Sequence, residues 1–236
     1  MTQKIVSFCF DDGFLQSAIS LRQLFEARGL RATFCVLAAP ERSTDRFISV
    51  TPIADWAFWK EALAAGHDVE PHGYTHEHLG QIPLDEATAS IEKTWDAFAH
   101  EFPGFEPRQA LYHVSYLVAS EPVVDFLKPR ALGVRRAIGN RGVNRLEGWS
   151  LGDDVDCISF GDPASEKLSE RLEAFVANEE GWLVIVLHGV DGEGYGPLPA
   201  QDLGVYLDRL IAQGVQILPA STVLKQALKA QGEASA

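Results

Sequence analysis

Positive charge is scarce in this chain. Lys and Arg number 20 against 33 Asp and Glu, a formal net charge of -13, and such a surface repels phosphate backbones and anionic headgroups. Nucleic acid and membranes are therefore not expected partners. Long apolar runs are also missing, and none reaches the roughly 20 residues that a membrane-spanning helix needs. The opening Met-Thr-Gln-Lys-Ile-Val-Ser-Phe has no basic segment, apolar stretch and small-residue cleavage site in sequence, so it does not read as a secretory signal. Cysteine is limited to Cys9, Cys35 and Cys157. An odd number without Cys-x-x-Cys spacing argues against a disulfide framework and suits reduced, buried thiols. A cytoplasmic location is the expectation. Repeats, low-complexity segments and linkers are absent as well, so one domain across residues 1–236 is expected.

What is present is an ordinary globular balance, 46% hydrophobic and 22% charged, enough to fill one sizeable core. Short β-branched or aromatic runs alternate with segments whose apolar residues recur at helical spacing. Strands are predicted at 5–10, 33–37, 68–72, 110–113, 133–138, 157–160, 183–188 and 215–218. Helical stripes lie between them: Leu21, Leu24 and Phe25; Phe58, Trp59, Ala62 and Leu63; Ile91, Trp95, Phe98 and Phe102; Leu168, Leu172, Phe175 and Val176; Leu203, Tyr206, Leu207, Leu210 and Ile211. Asp162-Pro163 has the form of an N-cap and first helical residue. Gly29, Gly66 and Gly214 stand where a left-handed residue ends a helix. The last residues, beyond Lys229, are expected to fray. Strands alternating with helices predict an α/β fold, a barrel of parallel strands with short connections.

Asp11 and Asp12 stand at the carboxyl end of the first predicted strand, followed by Gly13. Asp-Asp-Gly suits a plain turn. Two adjacent carboxylates also repel each other, and a nearby cation stabilises both when they are buried. The segment from His67 to His78 holds four of the seven histidines. His72 and His76, four apart, bring two imidazoles to one side of a helical turn or a compact loop, as metal ligation requires. With Asp12 they make a set of two imidazoles and one carboxylate that leaves coordination positions open for water and substrate. His188 ends the most apolar strand. Backbone groups can satisfy a histidine there, but barrel enzymes carry their working residues at the carboxyl ends of strands. The Asp11-Asp12 pair, His72 and His188 occupy three such ends.

Phe8-Cys9-Phe10-Asp11-Asp12-Gly13, His72-Gly73-Tyr74-Thr75-His76 and Leu187-His188 resemble, in that order, the first, second and last motifs of the NodB-type polysaccharide deacetylases, carbohydrate esterase family four. The resemblance covers residues 4 to about 224. It implies a distorted (β/α) barrel of seven to eight parallel strands. It also implies hydrolytic removal of an N-acetyl or other N-acyl group from an amino sugar or related carbohydrate, a small molecule or an oligosaccharide. Asp11 is then the general base and His188 the general acid. A divalent ion is expected on Asp12, His72 and His76, with Zn2+ ahead of Co2+, Mn2+ or Ni2+. A backbone N–H from the 112–116 loop is expected to face the oxyanion.

Two motifs depart from the family pattern. Where the family carries Arg-x-Pro-Tyr, this chain has Ala110-Leu-Tyr-His-Val-Ser-Tyr116. Arg135 and Arg136, in the fifth predicted strand, are the candidates to replace the missing Arg. Tyr112, His113, Tyr116, Arg136 and Trp56 are candidates for touching substrate. Phe47, Phe58 and Trp59 suit either a sugar face or a buried stripe, the latter favoured for the last two. The fourth motif has no clear counterpart, although Trp149, Asp153, Asp154 and Asp156 lie in its region. The altered third motif keeps two other readings open: a deformylase or allantoinase-like hydrolase of a small amide, and a non-catalytic sugar-binding homologue. The Gly-rich loop 189–199 has the composition of a specificity loop, a mobile lid or a plain turn. Homo-oligomerisation is left open.

Overall fold

The computed structural model describes residues 4–162 and 164–234. Its elements run β1 (Lys4–Asp12), α1 (Leu15–Glu26), β2 (Thr33–Val36), α2 (Trp56–Ala64), β3 (Asp68–Pro71), α3 (Leu84–Glu101), β4 (Leu111–His113), α4 (Glu121–Leu127), β5 (Gly133–Arg136), β6 (Val143–Asn144), β7 (Asp154–Asp156), β8 (Ile158–Ser159), α5 (Ala164–Asn178), β9 (Gly181–Leu187), α6 (Ala200–Ala212), β10 (Gln216–Ile217) and α7 (Ala220–Ala234). The predicted alternation is present. Gly29, Gly66 and Gly214 have positive φ at helix ends as expected. Pro163 lies outside the described residues, and α5 begins directly after it.

Parallel ladders join β3, β2, β1, β9 and β8 on one side and β4, β5 and β7 on the other. Because β7 and β8 are consecutive around Cys157, they form one bent stave. The result is a distorted barrel of seven parallel staves. The eighth predicted strand, 215–218, supplies only β10, which pairs with Ile5 and Val6 at the amino end of β1. It cannot enter the ring, since β1 already pairs with β9 on one edge and with β2 on the other.

Strand alternation sorts the apolar residues into two layers. Val6, Phe8 and Phe10 of β1 and Leu183, Ile185 and Leu187 of β9 face outward and pack on Leu21 and Phe25 of α1, Phe175 of α5 and Leu207 of α6. Ile5 and Cys9 of β1 and Trp182, Val184 and Val186 of β9 face the barrel interior. Burial on both faces is why these strands read as continuous apolar runs rather than alternating ones. Behind β4 and β5, Tyr112 and Val134 pack outward on Ile91 of α3 and Val123, Val124 and Leu127 of α4.

Side chains close the two places where the ladder is open. Between β7 and the β8–β9 side, the carboxamide of Asn144 in β6 accepts from Asp156 N at 2.8 Å and donates to Asp156 O at 2.9 Å, as a strand backbone would. Between β3 and β4, Glu70 Oε2 meets His113 Nε2 at 2.6 Å, and His72 Nδ1 meets the His113 carbonyl at 2.9 Å. Glu70 also accepts from the hydroxyl of Ser221 at the start of α7.

Burial pushes the Glu70 carboxyl up to about 7, against the Ser221 hydroxyl that lowers it. A folded-state value above the unfolded one means that the native chain holds the proton more tightly. This contribution to stability is full below about 4.5 and is lost as pH rises through about 7. Glu70→Gln removes the titration. Its melting temperature should therefore fall less between pH 5 and pH 8 than that of the wild type. Parallel thermal melts by circular dichroism check this, and equal slopes would refute it.

Candidate active site

At the carboxyl ends of β1, β2, β3, β8 and β9 lies a cavity of about 450 Å³, lined by Asp11, Asp12, His72, His76 and His188 among others. Asp11 and Asp12 are adjacent in sequence, and regular strand geometry would send them to opposite faces. Asp12 has φ 74, however, so its carboxylate turns back toward the mouth beside Asp11. Gly13 follows with φ 82, and a Cβ there would stand 2.9 Å from the Trp59 ring. Gly is the residue this turn can accommodate. His76, in the loop after β3, is also left-handed with φ 71. Non-glycine residues held in this region store strain, which local contacts must offset.

These turns converge three potential ligand atoms. One atom from each of Asp12, His72 and His76 lies within 4.8 Å of the others. Asp12 Oδ1 is 3.5 Å from both His72 Nε2 and His76 Nε2. Asp12 Oδ1 and His72 Nε2 are buried without a hydrogen-bond partner, which costs free energy unless something else occupies the space between them. His72 Nδ1 donates to the His113 carbonyl, so Nε2 keeps its lone pair for the centre of the group. His76 Nδ1 lies 3.4 Å from Asp45 Oδ2. The donor set fits a divalent cation.

Electrostatics keep both acids charged. Burial raises Asp11, but the Arg135 guanidinium, then His72 and His188, outweigh it and hold the carboxyl far below the ordinary range. Burial likewise opposes ionisation of Asp12, and the nearby His72 imidazole, then His188 and His76, lower it. Burial lowers His72, yet Asp11 and Asp12 raise it above the usual imidazole value. The pocket is thus short of positive charge at the point where the ligands meet.

Asp11 owes its position to Arg135, whose Nη2 donates to Asp11 Oδ2 at 2.8 Å with both side chains buried. Of the two arginines considered as replacements for the missing third-motif Arg, Arg135 therefore reaches the proposed base. Arg136, one residue on, points outward by strand alternation. It pairs with Asp154 at 2.7 Å and Glu121 at 2.8 Å, away from the cavity. Three other expected substrate contacts also lie elsewhere. Tyr112 is buried in the layer against α3 and α4. Trp56 packs edge-on against Phe98 and Phe102. The His113 ring faces Glu70 inside the barrel, where burial and then Arg135 hold it neutral. Tyr116 does line the cavity. Its φ is 56, its ring lies 4.4 Å from that of His76, and its hydroxyl donates to Asp45 Oδ2 at 3.0 Å.

A model of the polysaccharide deacetylase family matches residues 1–125, more than half of the chain. The chain belongs to this family. No curated protein sequence matches it. Among solved structures it is similar to the family 4 esterase domain of a multidomain xylanase from the hindgut metagenome of Trinervitermes trinervoides, at 14% identity and TM-score 0.65, covering 95% of this chain and 91% of that one. A family 4 acetyl xylan esterase from Clostridium thermocellum, solved with cobalt, gives 17% identity and TM-score 0.61, covering 97% and 92%. A pseudoenzyme of the same family from Bacillus anthracis gives 13% and 0.60, covering 94% and 66%. At these identities the likeness is one of fold.

Within this polysaccharide deacetylase fold, sequence reading missed Asp45. It lies in an irregular stretch after β2, and its Oδ1 accepts from Phe47 N at 2.8 Å. That turn frees Oδ2 for Tyr116 and His76. Ser43-Thr-Asp45 has turn composition, but nothing local announces a contact with a histidine thirty residues on. His188 Nδ1 is buried without a partner, and its ring stands edge-on to Tyr195 at 5.2 Å. Phe47 lines the cavity and meets the same Tyr195 at 5.8 Å, whereas Trp59 is core. The 189–199 loop is tied down rather than free. Val190 N donates to Ser17 Oγ at 3.0 Å, and the Glu193 carboxylate accepts from Ser17 N at 2.5 Å, at the start of α1. Asp191 accepts from Ala200 N. Of the fourth-motif candidates, Asp156 shapes the 138–142 turn through Ile138 N and Gly142 N. Asp154 pairs with Arg136, Asp153 accepts from Ser150 N, and Trp149 is core.

Removing Arg135 would leave Asp11 as a buried charge without its main partner, a loss of about 3–5 kcal/mol. Urea unfolding should show Arg135→Ala destabilised by that amount and Arg135→Lys by less. An alanine variant as stable as wild type would contradict the pairing.

Proposed function

We propose that the chain is a metal-dependent hydrolase that removes the acetyl group from the amide nitrogen of an amino sugar. The observation that carries this reading is the meeting of Asp11, Asp12, His72, His76 and His188 in one cavity, with family membership behind it. The family's solved members include a peptidoglycan N-acetylglucosamine deacetylase as well as an acetyl xylan esterase. An amide nitrogen needs a proton to leave and an ester oxygen needs one less. A histidine at the mouth in addition to the metal pair therefore favours the amide.

Asp12, His72 and His76 would hold the ion. Bound there, a divalent cation supplies a Lewis acid for the acyl oxygen and acidifies water near it. Asp11, fixed by Arg135, takes the proton from the attacking water. Its depressed basicity demands an acidified donor, consistent with a base beside a cation site. The 115–117 turn, with Tyr116 and Leu117 both left-handed at the cavity wall, offers the Tyr116 backbone N–H to the oxyanion, that of Leu117 being held by the Val114 carbonyl. His188 donates to the departing nitrogen. Asp45 orients His76 from behind, and Tyr116, Phe47 and Tyr195 form the aromatic wall on which a sugar ring can rest.

The substrate side decides between this reading and hydrolysis of a formylated or cyclic small amide. Acid release from N-acetylated glucosamine oligomers, acetylated xylan, formylated amino sugars and cyclic ureides should be greatest for the first. Asp12→Ala and His76→Ala should reduce it to background and remove the calorimetric binding isotherm of this open site. His188→Ala should cost roughly 10²–10⁴-fold in kcat. Wild-type rates in the Asp12 and His76 variants would end the proposal. A separate outcome concerns Asp45→Asn, which should weaken metal binding roughly 10–100-fold while the fold is unchanged. Unaltered affinity would remove Asp45 from the site.

A further inference from the structure

Beneath the mouth, the barrel interior holds a second group of ligand-type side chains that the proposed chemistry does not use. Cys9 of β1, Cys35 of β2 and His113 of β4 are each fully buried. One ligand atom from each lies within 4.8 Å of the others. The strand register explains the meeting. Cys9 pairs with Thr33 and Asp11 with Cys35, so the two thiols sit two residues apart on the inward face of neighbouring strands. Both are free thiols. No Cys-x-x-Cys spacing announces them, because three separate strands contribute.

His113 supplies the second, independent observation. Its Nε2 is engaged by Glu70 Oε2 at 2.6 Å, and Glu70 is itself anchored by the Ser221 hydroxyl and by Leu111 N at 3.4 Å. Nδ1 is buried without a hydrogen-bond partner. With Glu70 ionised, its carboxylate accepts from Nε2–H and leaves the Nδ1 lone pair free, the arrangement that fixes the tautomer of a metal-ligating histidine.

We infer that Cys9, Cys35 and His113 form a second, closed site for a thiophilic cation, Zn2+ or Cu+, distinct from the open site of Asp12, His72 and His76. Two sulfurs and one imidazole are soft donors that hard oxygen-seeking cations do not favour. Binding replaces the two thiol protons with the cation and releases two protons, with no change of oxidation state. With Zn2+ the two thiolates neutralise the ion. With Cu+ the site keeps one negative charge beside the Arg135 guanidinium, whose Nε and Nη1 are also buried without partners. Three donors suit Cu+, whereas Zn2+ in a structural site takes a fourth ligand. Because β1 carries both Cys9 and Asp11, and His113 offers its carbonyl to His72, an ion here would brace the floor of the mouth above it.

The test uses the whole chain produced in zinc-supplemented and, separately, copper-supplemented medium. Metal content is measured by elemental analysis and the ligand atoms by X-ray absorption, for wild type, His76→Ala and Cys35→Ser. The expected result is that His76→Ala, crippled in the open site, retains about one equivalent of metal with sulfur neighbours at ~2.3 Å, and that Cys35→Ser loses that signal. Which medium loads the site identifies the cation. The wild-type and His76→Ala chains decide the matter even if Cys35→Ser does not fold. A His76→Ala chain without metal from either medium, or with only nitrogen and oxygen neighbours, overturns the inference. That failure leaves the open site's reading intact. Conversely, a sulfur-bound ion in a chain whose Asp12 and His76 variants remain fully active would sink the hydrolase proposal alone.

Discussion

The buried ion pair between Arg135 and Asp11 bridges the lumen of the barrel, from β5 to β1. Neither charge is tolerable there alone, since a buried carboxylate or guanidinium without a partner loses its hydration for nothing. Together they let an ionised acid stand on the floor of a mouth whose wall also carries the rings of Phe47, Tyr116 and Tyr195. The position of Asp11 in turn constrains the rest. His72 lies 3.5 Å from both Asp11 and Asp12, so the ligand group is assembled around two charges that only the guanidinium and the imidazoles make compatible.

Left-handed backbone is the second device. A strand alone cannot present two consecutive acids to one cavity. The positive φ of Asp12 breaks the alternation at the residue where the chemistry needs it, and His76 and Tyr116 do the same in their loops. Among the described residues, four of the six left-handed non-glycine positions, Asp12, His76, Tyr116 and Leu117, line this cavity, while Arg141 and Asp191 lie in turns outside it.

The scaffold is closed by side chains where hydrogen-bonded ladders are interrupted. Asn144 with Asp156 spans one opening and Glu70 with His113 the other. The second of these seams borders both ligand groups. His113 steadies His72 through its carbonyl, while its ring belongs to the interior with Cys9 and Cys35. The same residue therefore separates an open mouth from a buried, sulfur-lined floor.

Much of this was legible in the sequence. Alternating strand and helix periods predicted the barrel, and the spacing of Asp11-Asp12, His72-x-x-x-His76 and His188 at strand ends named the residues that line the cavity, because period and strand-end position are local properties. What lay beyond reach depended on parity and on closure. Gly133-Val-Arg-Arg136 does not say which arginine faces inward when both faces of the strand are buried, and a shift of one residue exchanges Arg135 for Arg136 and His113 for Tyr112. Asp45 and the Cys9-Cys35-His113 group draw on segments far apart in the chain, so no local pattern marks them. The sequence by itself determined the fold class and the charged residues of the mouth. Only the tertiary structure decided which guanidinium holds Asp11, which side chains are left for a substrate, and that three interior donors meet, since these follow from the side of each strand that the closed barrel turns inward.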